Sequence, residues 1–168
     1  FSATTVVDPS TLVLVANETA VGIIVNEVLG GSSAYTGASS VPEQIVADLW
    51  TSSVGNDVDR LAAHESLFAV VSIDAIPSIV SASVSSRPDM SNRVAARAVA
   101  TAPSLAIDIA IQSTNASGVT SGGAKATVLS IIEMVQNSTS NYWNGKPLSI
   151  IFRSVADSRP ELRESMIE

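Results

Sequence analysis

The sequence predicts one α/β domain spanning residues 1–168, with a sheet of about three to four strands covered by about six helices. In residues 105–112, branched aliphatic residues alternate with small or polar ones, as on a half-buried strand. A loop with three glycines follows, and then residues 124–136, whose apolar positions recur at helical spacing. This strand, loop and helix form the unit around which the other segments pack. An α+β arrangement stays open, and an all-helical bundle is the alternative fold.

Three further segments complete the predicted sheet. Residues 11–16 and 67–73 are short apolar runs, typical of strands that are buried on both faces. The second run also fits the continuation of a preceding helix. Residues 148–154 form the last predicted strand, and the strand order stays open because two helices separate some of the strands.

The predicted helices begin at capping residues or prolines. Asn17 caps the first, which stops at a pair of glycines, and Pro42 lies in the first turn of the second. The segment after Asp74 contains Pro77 and also fits a short strand at residues 80–84. Helical segments are predicted at residues 17–30, 40–55, 74–86, 93–100, 124–136 and 157–168, with a further short helix start at residues 56–65.

The composition excludes several classes of function. The net charge of −7 argues against nucleic-acid binding, which needs a basic surface. The chain has no cysteine and one histidine, so the sequence predicts neither a thiolate metal site nor a His-rich zinc site. It also predicts no cofactor. No run reaches the roughly 18 apolar residues of a transmembrane helix. With 46% hydrophobic but only 15% charged residues, the surface must be neutral, as in extracellular proteins or in proteins covered by a partner.

Several features favour secretion. The chain starts at Phe1 without methionine. This fits a mature protein from which a signal segment was removed, and it equally fits a sequence cut from a longer one at an arbitrary position. N-glycosylation sequons begin at Asn17, Asn115 and Asn137. If Asn17 caps a helix, its amide is partly occupied. The sequence therefore predicts a secreted glycoprotein.

The glycine loop between residues 118 and 127 resembles a phosphate-binding loop in position but not in pattern. A phosphate loop places lysine directly after its last glycine, whereas Ala124 separates Gly123 from Lys125. We therefore interpret the loop as a surface turn whose glycines allow positive φ angles.

The candidates for catalysis are His64 and Asp108. His64 lies near the end of a short predicted helix and could act as a general base with an orienting carboxylate and a serine. Asp108 is an acid in an otherwise apolar segment, so it either lies on a solvated face or pairs with an arginine such as Arg93, Arg97 or Arg153.

Two groups of residues are candidates for binding. Arg93 and Arg97 lie one helical turn apart and could hold a carboxylate or phosphate, although such arginines also serve as internal counter-charges. Tyr142 and Trp143 lie beside Asn141 and Asn144, a composition that suits stacking on sugars or anchoring in a partner, as well as packing of the loop onto its own domain.

The functional prediction is a secreted, non-enzymatic protein that binds a protein or a cell-surface glycan, such as a toxin or effector subunit. A hydrolase using His64 with a nearby carboxylate is the first alternative. A self-assembling structural or coat subunit is the second, and assembly with identical or different chains stays open.

Overall fold

The computed structural model describes Val46, Trp50, residues 56–70 and residues 73–164. The chain divides into two compact units, Phe1–Ala75 and Ile76–Glu168, and each is described by itself. The prediction of one domain stays a prediction. The described part of the chain is 84% helical and contains no strand. The α/β prediction is therefore wrong, and the helical alternative is the observed fold there.

In the first unit, helix α1 covers Asp57–Val70 and a 3₁₀ turn covers Ile73–Ala75. Asn56 caps α1, because its Oδ1 accepts a hydrogen bond from Val58 N at 2.8 Å. The predicted strand at residues 67–73 is absent, since residues 67–70 continue the helix. Its apolar run is explained by burial on one face of the helix, where residues 61, 64 and 68, and likewise 63 and 67, lie one turn apart. The buried residues are Leu61, Ala63, His64, Leu67 and Phe68.

The second unit is a bundle of five helices among the residues described. These are α2 (Ile76–Ser86), α3 (Ser91–Thr101), α4 (Ala106–Asn115), α5 (Ser121–Asn137) and α6 (Ser149–Ser158). The most extensive packing is between α3 and α5, and α4 contacts each of the other four helices. The segment that the sequence marks as central is therefore central, but as a helix.

The strand predicted at residues 105–112 is wrong because alternation over eight residues also fits a helical face. In α4 the buried residues are spaced three or four apart: Ala106, Ile109, Ala110, Ser113 and Thr114. Ser113 and Thr114 can be buried because each hydroxyl donates to a carbonyl one turn earlier, at 2.7 Å.

The other predicted strands have different outcomes. Residues 149–154 of the segment predicted at 148–154 lie in α6, where Ile151 and Val155 are buried one turn apart and Ile150 is exposed, and Leu148 precedes the helix. The predicted strand at residues 11–16 and the first predicted helix lie outside the described residues. Of the second predicted helix, only Val46 and Trp50 are described, and both are helical. The predicted helix at residues 157–168 is interrupted by a 3₁₀ turn at Pro160–Leu162.

Three corners of the second unit are built alike, as 3₁₀ turns that begin with proline. They cover Pro88–Met90, Pro103–Leu105 and Pro160–Leu162. The residue before each proline has φ between −129° and −141°, outside the helical region, as the proline ring requires. Two corners share the tripeptide arginine-proline-acid, in which the arginine Nε donates to the acid, at 2.9 Å for Asp89 and 2.8 Å for Glu161.

Arg159, in the last of these corners, also caps α4. Its Nη1 donates to the carbonyl of Thr114, in the last turn of α4, and to that of Val119 at 3.3 Å. The last carbonyls of a helix lack partners within the helix, so this guanidinium fixes both the end of α4 and the loop that follows.

We expect Arg159→Met to lower the free energy of unfolding by about 1.5–3 kcal/mol, because hydrogen bonds from a charged donor are lost and carbonyls are left without a partner. The matched control is Arg163→Met. Arg163 makes an exposed ion pair with Asp157 at 3.2 Å, so its loss should cost less than about 1 kcal/mol. Urea unfolding followed by circular dichroism compares the two, and equal losses would contradict the capping role.

Candidate functional site

The second unit contains a cleft of about 460 Å³ between the start of α3 and the loop that leads into α5. This volume lies in the range of small-ligand sites. The lining residues are small or polar: Pro88, Asp89, Ser91, Asn92, Gly118, Thr120, Gly123 and Ala126.

The walls of the cleft are fixed by local hydrogen bonds. Thr120 caps α5 by accepting from Gly123 N at 3.1 Å. The buried hydroxyls of Ser91 and Thr127 are 2.9 Å apart, which ties α3 to α5. Gly118 has a φ of +81°, and a Cβ there would lie 2.8 Å from Cγ of Pro88. Of the three glycines predicted to lie in a loop, only Gly118 does so, because Gly122 and Gly123 already belong to α5.

The carboxylate at the cleft belongs to a structural ion pair. Arg87 donates from Nε and Nη2 to the two oxygens of Asp89, at 2.9 and 2.8 Å. These hydrogen bonds favour the ionised form, so they hold the pKa of Asp89 below its ordinary value. Asp89 is therefore charged at neutral pH and occupied by Arg87. A carboxylate that is ionised and held by an arginine in this way is poorly suited to proton transfer.

His64 is a core residue of the first unit. Its side chain is 0% exposed, and the centroid of its ring lies 4.8 Å from that of Trp50 and 6.2 Å from that of Phe68. Nδ1 lies 2.6 Å from the carbonyl oxygen of Arg60, and because a carbonyl only accepts, Nδ1 carries the hydrogen. Burial lowers the pKa of His64 to about 4, against the opposing effect of this hydrogen bond.

The other charged candidates lie on helix surfaces. Asp108 is exposed in the first turn of α4, where an acid stabilises the helix dipole. It forms no ion pair with any residue in the described ranges, and Arg153 pairs with Asp157 instead, at 3.9 Å. Arg93 and Arg97 are exposed on α3. His64 and Asp108 belong to different units.

The two adjacent aromatic residues have different environments. Trp143 is buried, and its Nε1 donates to the carbonyl of Pro103 at 2.6 Å, which ties the loop to its own unit. Tyr142 is 46% exposed, and Nζ of Lys146 lies 3.3 Å from the centroid of its ring, a cation–π contact. Composition alone indicates an aromatic loop but not which ring is buried.

Two of the three sequon asparagines lie within the described residues. Asn115 and Asn137 are the last residues of α4 and α5, and both are exposed. The residue after each has extended backbone angles, and the third residue of each sequon, Ser117 or Thr139, is exposed. Asn17 lies outside the described residues.

Sequence reasoning missed the cleft, although one signal for it was present. The repeated tripeptide Arg87-Pro88-Asp89 and Arg159-Pro160-Glu161 marks two corners, and the first borders the cleft. Among the described residues, no three histidine, cysteine or acidic side chains come together as metal ligands, and no helix is long and apolar enough to cross a membrane. Comparison of the chain with protein-family models, curated proteins and solved structures finds no match.

Proposed function

We propose that this chain is a secreted, N-glycosylated protein that acts by binding a protein or a cell-surface glycan. The observation that carries the proposal is the placement of Asn115 and Asn137. Each ends a helix, is exposed and is followed by extended backbone, so both the asparagine and the hydroxyl residue of the sequon are open to a modifying enzyme. The neutral composition, with 15% charged residues, supports an extracellular location.

The environment of His64 favours binding over the hydrolase alternative. A general base must reach the proton it removes and have a pKa near the working pH. His64 is fully buried beside Trp50 and Phe68, and its pKa of about 4 leaves the ring neutral and weakly basic at neutral pH.

The test is the intact mass of the protein from its native source, before and after treatment with a peptide N-glycosidase. We expect a glycan mass that the glycosidase removes and that maps to Asn115 and Asn137. In secreted recombinant protein, Ser117→Ala and Thr139→Ala should each remove one glycan, because they destroy a sequon without changing its asparagine.

The control is Ser138→Ala, which changes the middle residue of a sequon and should leave both glycans in place. Binding is measured with the labelled glycoprotein on intact cells, where saturable binding is expected. An unmodified mass from the native source contradicts the glycoprotein, and the absence of saturable binding on any cell type contradicts the binding role.

A further inference from the structure

The Asn144-Gly145 pair lies at an exposed turn after Trp143, and it is the only Asn-Gly pair in the sequence. Asn144 has φ −59° and ψ 122°, and Gly145 has φ 74°. Lys146 N donates to the carbonyl of Trp143 at 3.1 Å. These angles and this hydrogen bond define a type II turn, whose third position requires a positive φ and therefore favours glycine.

We infer that Asn144 is a site of spontaneous deamidation. In this reaction the backbone nitrogen of the next residue attacks Cγ of the asparagine, a C–N bond forms, and the bond from Cγ to Nδ2 breaks. Nδ2 leaves as ammonia with the proton of the backbone amide. Water then opens the five-membered imide at either carbonyl and yields aspartate or isoaspartate.

The backbone nitrogen of Gly145 is accessible for this attack, and the hydrogen bonds that ring closure must break are exposed, including the one from Nδ2 of Asn144 to Oδ1 of Asn141 at 3.0 Å. An added Cβ at Gly145 would meet nothing within 4 Å, so the attacking nitrogen has no crowding side chain beside it. Gly145 N–H donates to no acceptor within residues 56–70 and 73–164. Rotation of ψ at Asn144 toward ring closure breaks the exposed hydrogen bond between Lys146 and Trp143.

Two neighbouring asparagines provide an internal comparison. The nitrogen that would attack Asn137 belongs to Ser138 and donates to the carbonyl of Val135 at 3.3 Å. The nitrogen that would attack Asn141 belongs to Tyr142 and donates to Oγ of Ser140 at 3.3 Å. Both nucleophiles are engaged and both belong to residues with side chains, so these asparagines should react more slowly than Asn144.

The product changes the charge of the turn. A carboxylate at residue 144 lies two residues from Lys146, whose ammonium otherwise rests on the ring of Tyr142. The new charge competes with the ring for that ammonium. Deamidation therefore changes the charge beside the exposed ring of Tyr142.

The test follows the folded chain, made in bacteria, at mildly alkaline pH, with tandem mass spectrometry of peptides to locate each conversion. We expect aspartate and isoaspartate at Asn144 to form several-fold faster than at Asn137 or Asn141. Gly145→Asn is the matched variant, since asparagine tolerates positive φ but adds a side chain, and conversion at residue 144 should fall several-fold.

A parallel incubation in urea separates chemistry from structure. Conversion of Asn144 in the folded chain at a rate close to that in urea supports the inference. If the amide survives in the folded chain while it is lost in urea, the turn protects it and the inference is wrong. Equal rates at all three asparagines in the folded chain also overturn it.

Discussion

Replacement of Gly118 by alanine should lower the free energy of unfolding by about 2–5 kcal/mol, the sum of a left-handed backbone and an overpacked contact. Gly118 has a φ of +81°, which L-residues with a Cβ rarely adopt. The added Cβ would also lie 2.8 Å from Cγ of Pro88, and a proline ring has little freedom to move away. Both residues line the cleft, so its shape should change as well.

Two other glycines serve as controls for this experiment. Gly145 has a φ of +74° but open space around it, so Gly145→Ala should cost only about 1–2 kcal/mol. Gly122 lies in the first turn of α5, also with open space, so Gly122→Ala should be neutral or stabilise by up to about 1 kcal/mol. Urea unfolding of the three variants gives the order, and a Gly118→Ala loss no larger than that of Gly145→Ala would show that the contact with Pro88 yields easily.

Acidification should destabilise the first unit through His64, by on the order of 3 kcal/mol. Burial lowers the pKa of this side chain from its ordinary value of 6.5 to about 4. Between these two values the unfolded chain binds a proton that the folded chain does not, so stability increases with pH in this window. The contribution is complete above pH 6.5 and is lost as the pH falls toward about 4.

The measurement is the free energy of unfolding in urea at several pH values across this window, followed by tryptophan fluorescence. Trp143 is replaced by phenylalanine so that Trp50 is the one fluorescent tryptophan. The ring centroid of Trp50 is 4.8 Å from that of His64, so its fluorescence reports the same cluster. In His64→Phe the pH dependence assigned to this residue should disappear, while that of the carboxylates remains. If the free energy of unfolding changes with pH in the same way with His64 and with His64→Phe, the pKa of His64 is not lowered in the folded chain.

Helices with a start or stop signal or a long apolar stripe could be predicted from sequence, as at residues 93–100, which lie in α3, whereas short apolar runs without such signals were assigned as strands. Residues 124–136 give a helix that the structure extends only to Ser121–Asn137, because a stripe over several turns has no strand equivalent. Residues 105–112 and 148–154 are too short to distinguish the two periods. In α4, Ala106 and Ala110 are fully buried, and their burial depends on neighbouring helices that a local pattern does not reveal.

The surroundings of the candidate site residues could not be predicted from sequence. Sequons are defined by sequence, so Asn115 and Asn137 could be named, but their exposure at helix ends depends on where the helices stop. The cleft joins residues 88–92 to residues 118–126, and no local pattern indicates that these two segments meet. The environment of His64 depends in the same way on Trp50, which is distant in sequence.

The proline-led corners have a consequence for proteolysis. Of the nine basic residues, Arg87, Lys146 and Arg159 precede proline, a bond that trypsin-like proteases do not cleave. The other six lie within helical segments: Arg60, Arg93, Arg97, Lys125, Arg153 and Arg163. Such proteases need an extended substrate and normally cut in loops, so every bond open to them here is protected until a helix opens. The rates of cutting at these six positions therefore rank the local opening of α1, α3, α5, α6 and the segment after Leu162.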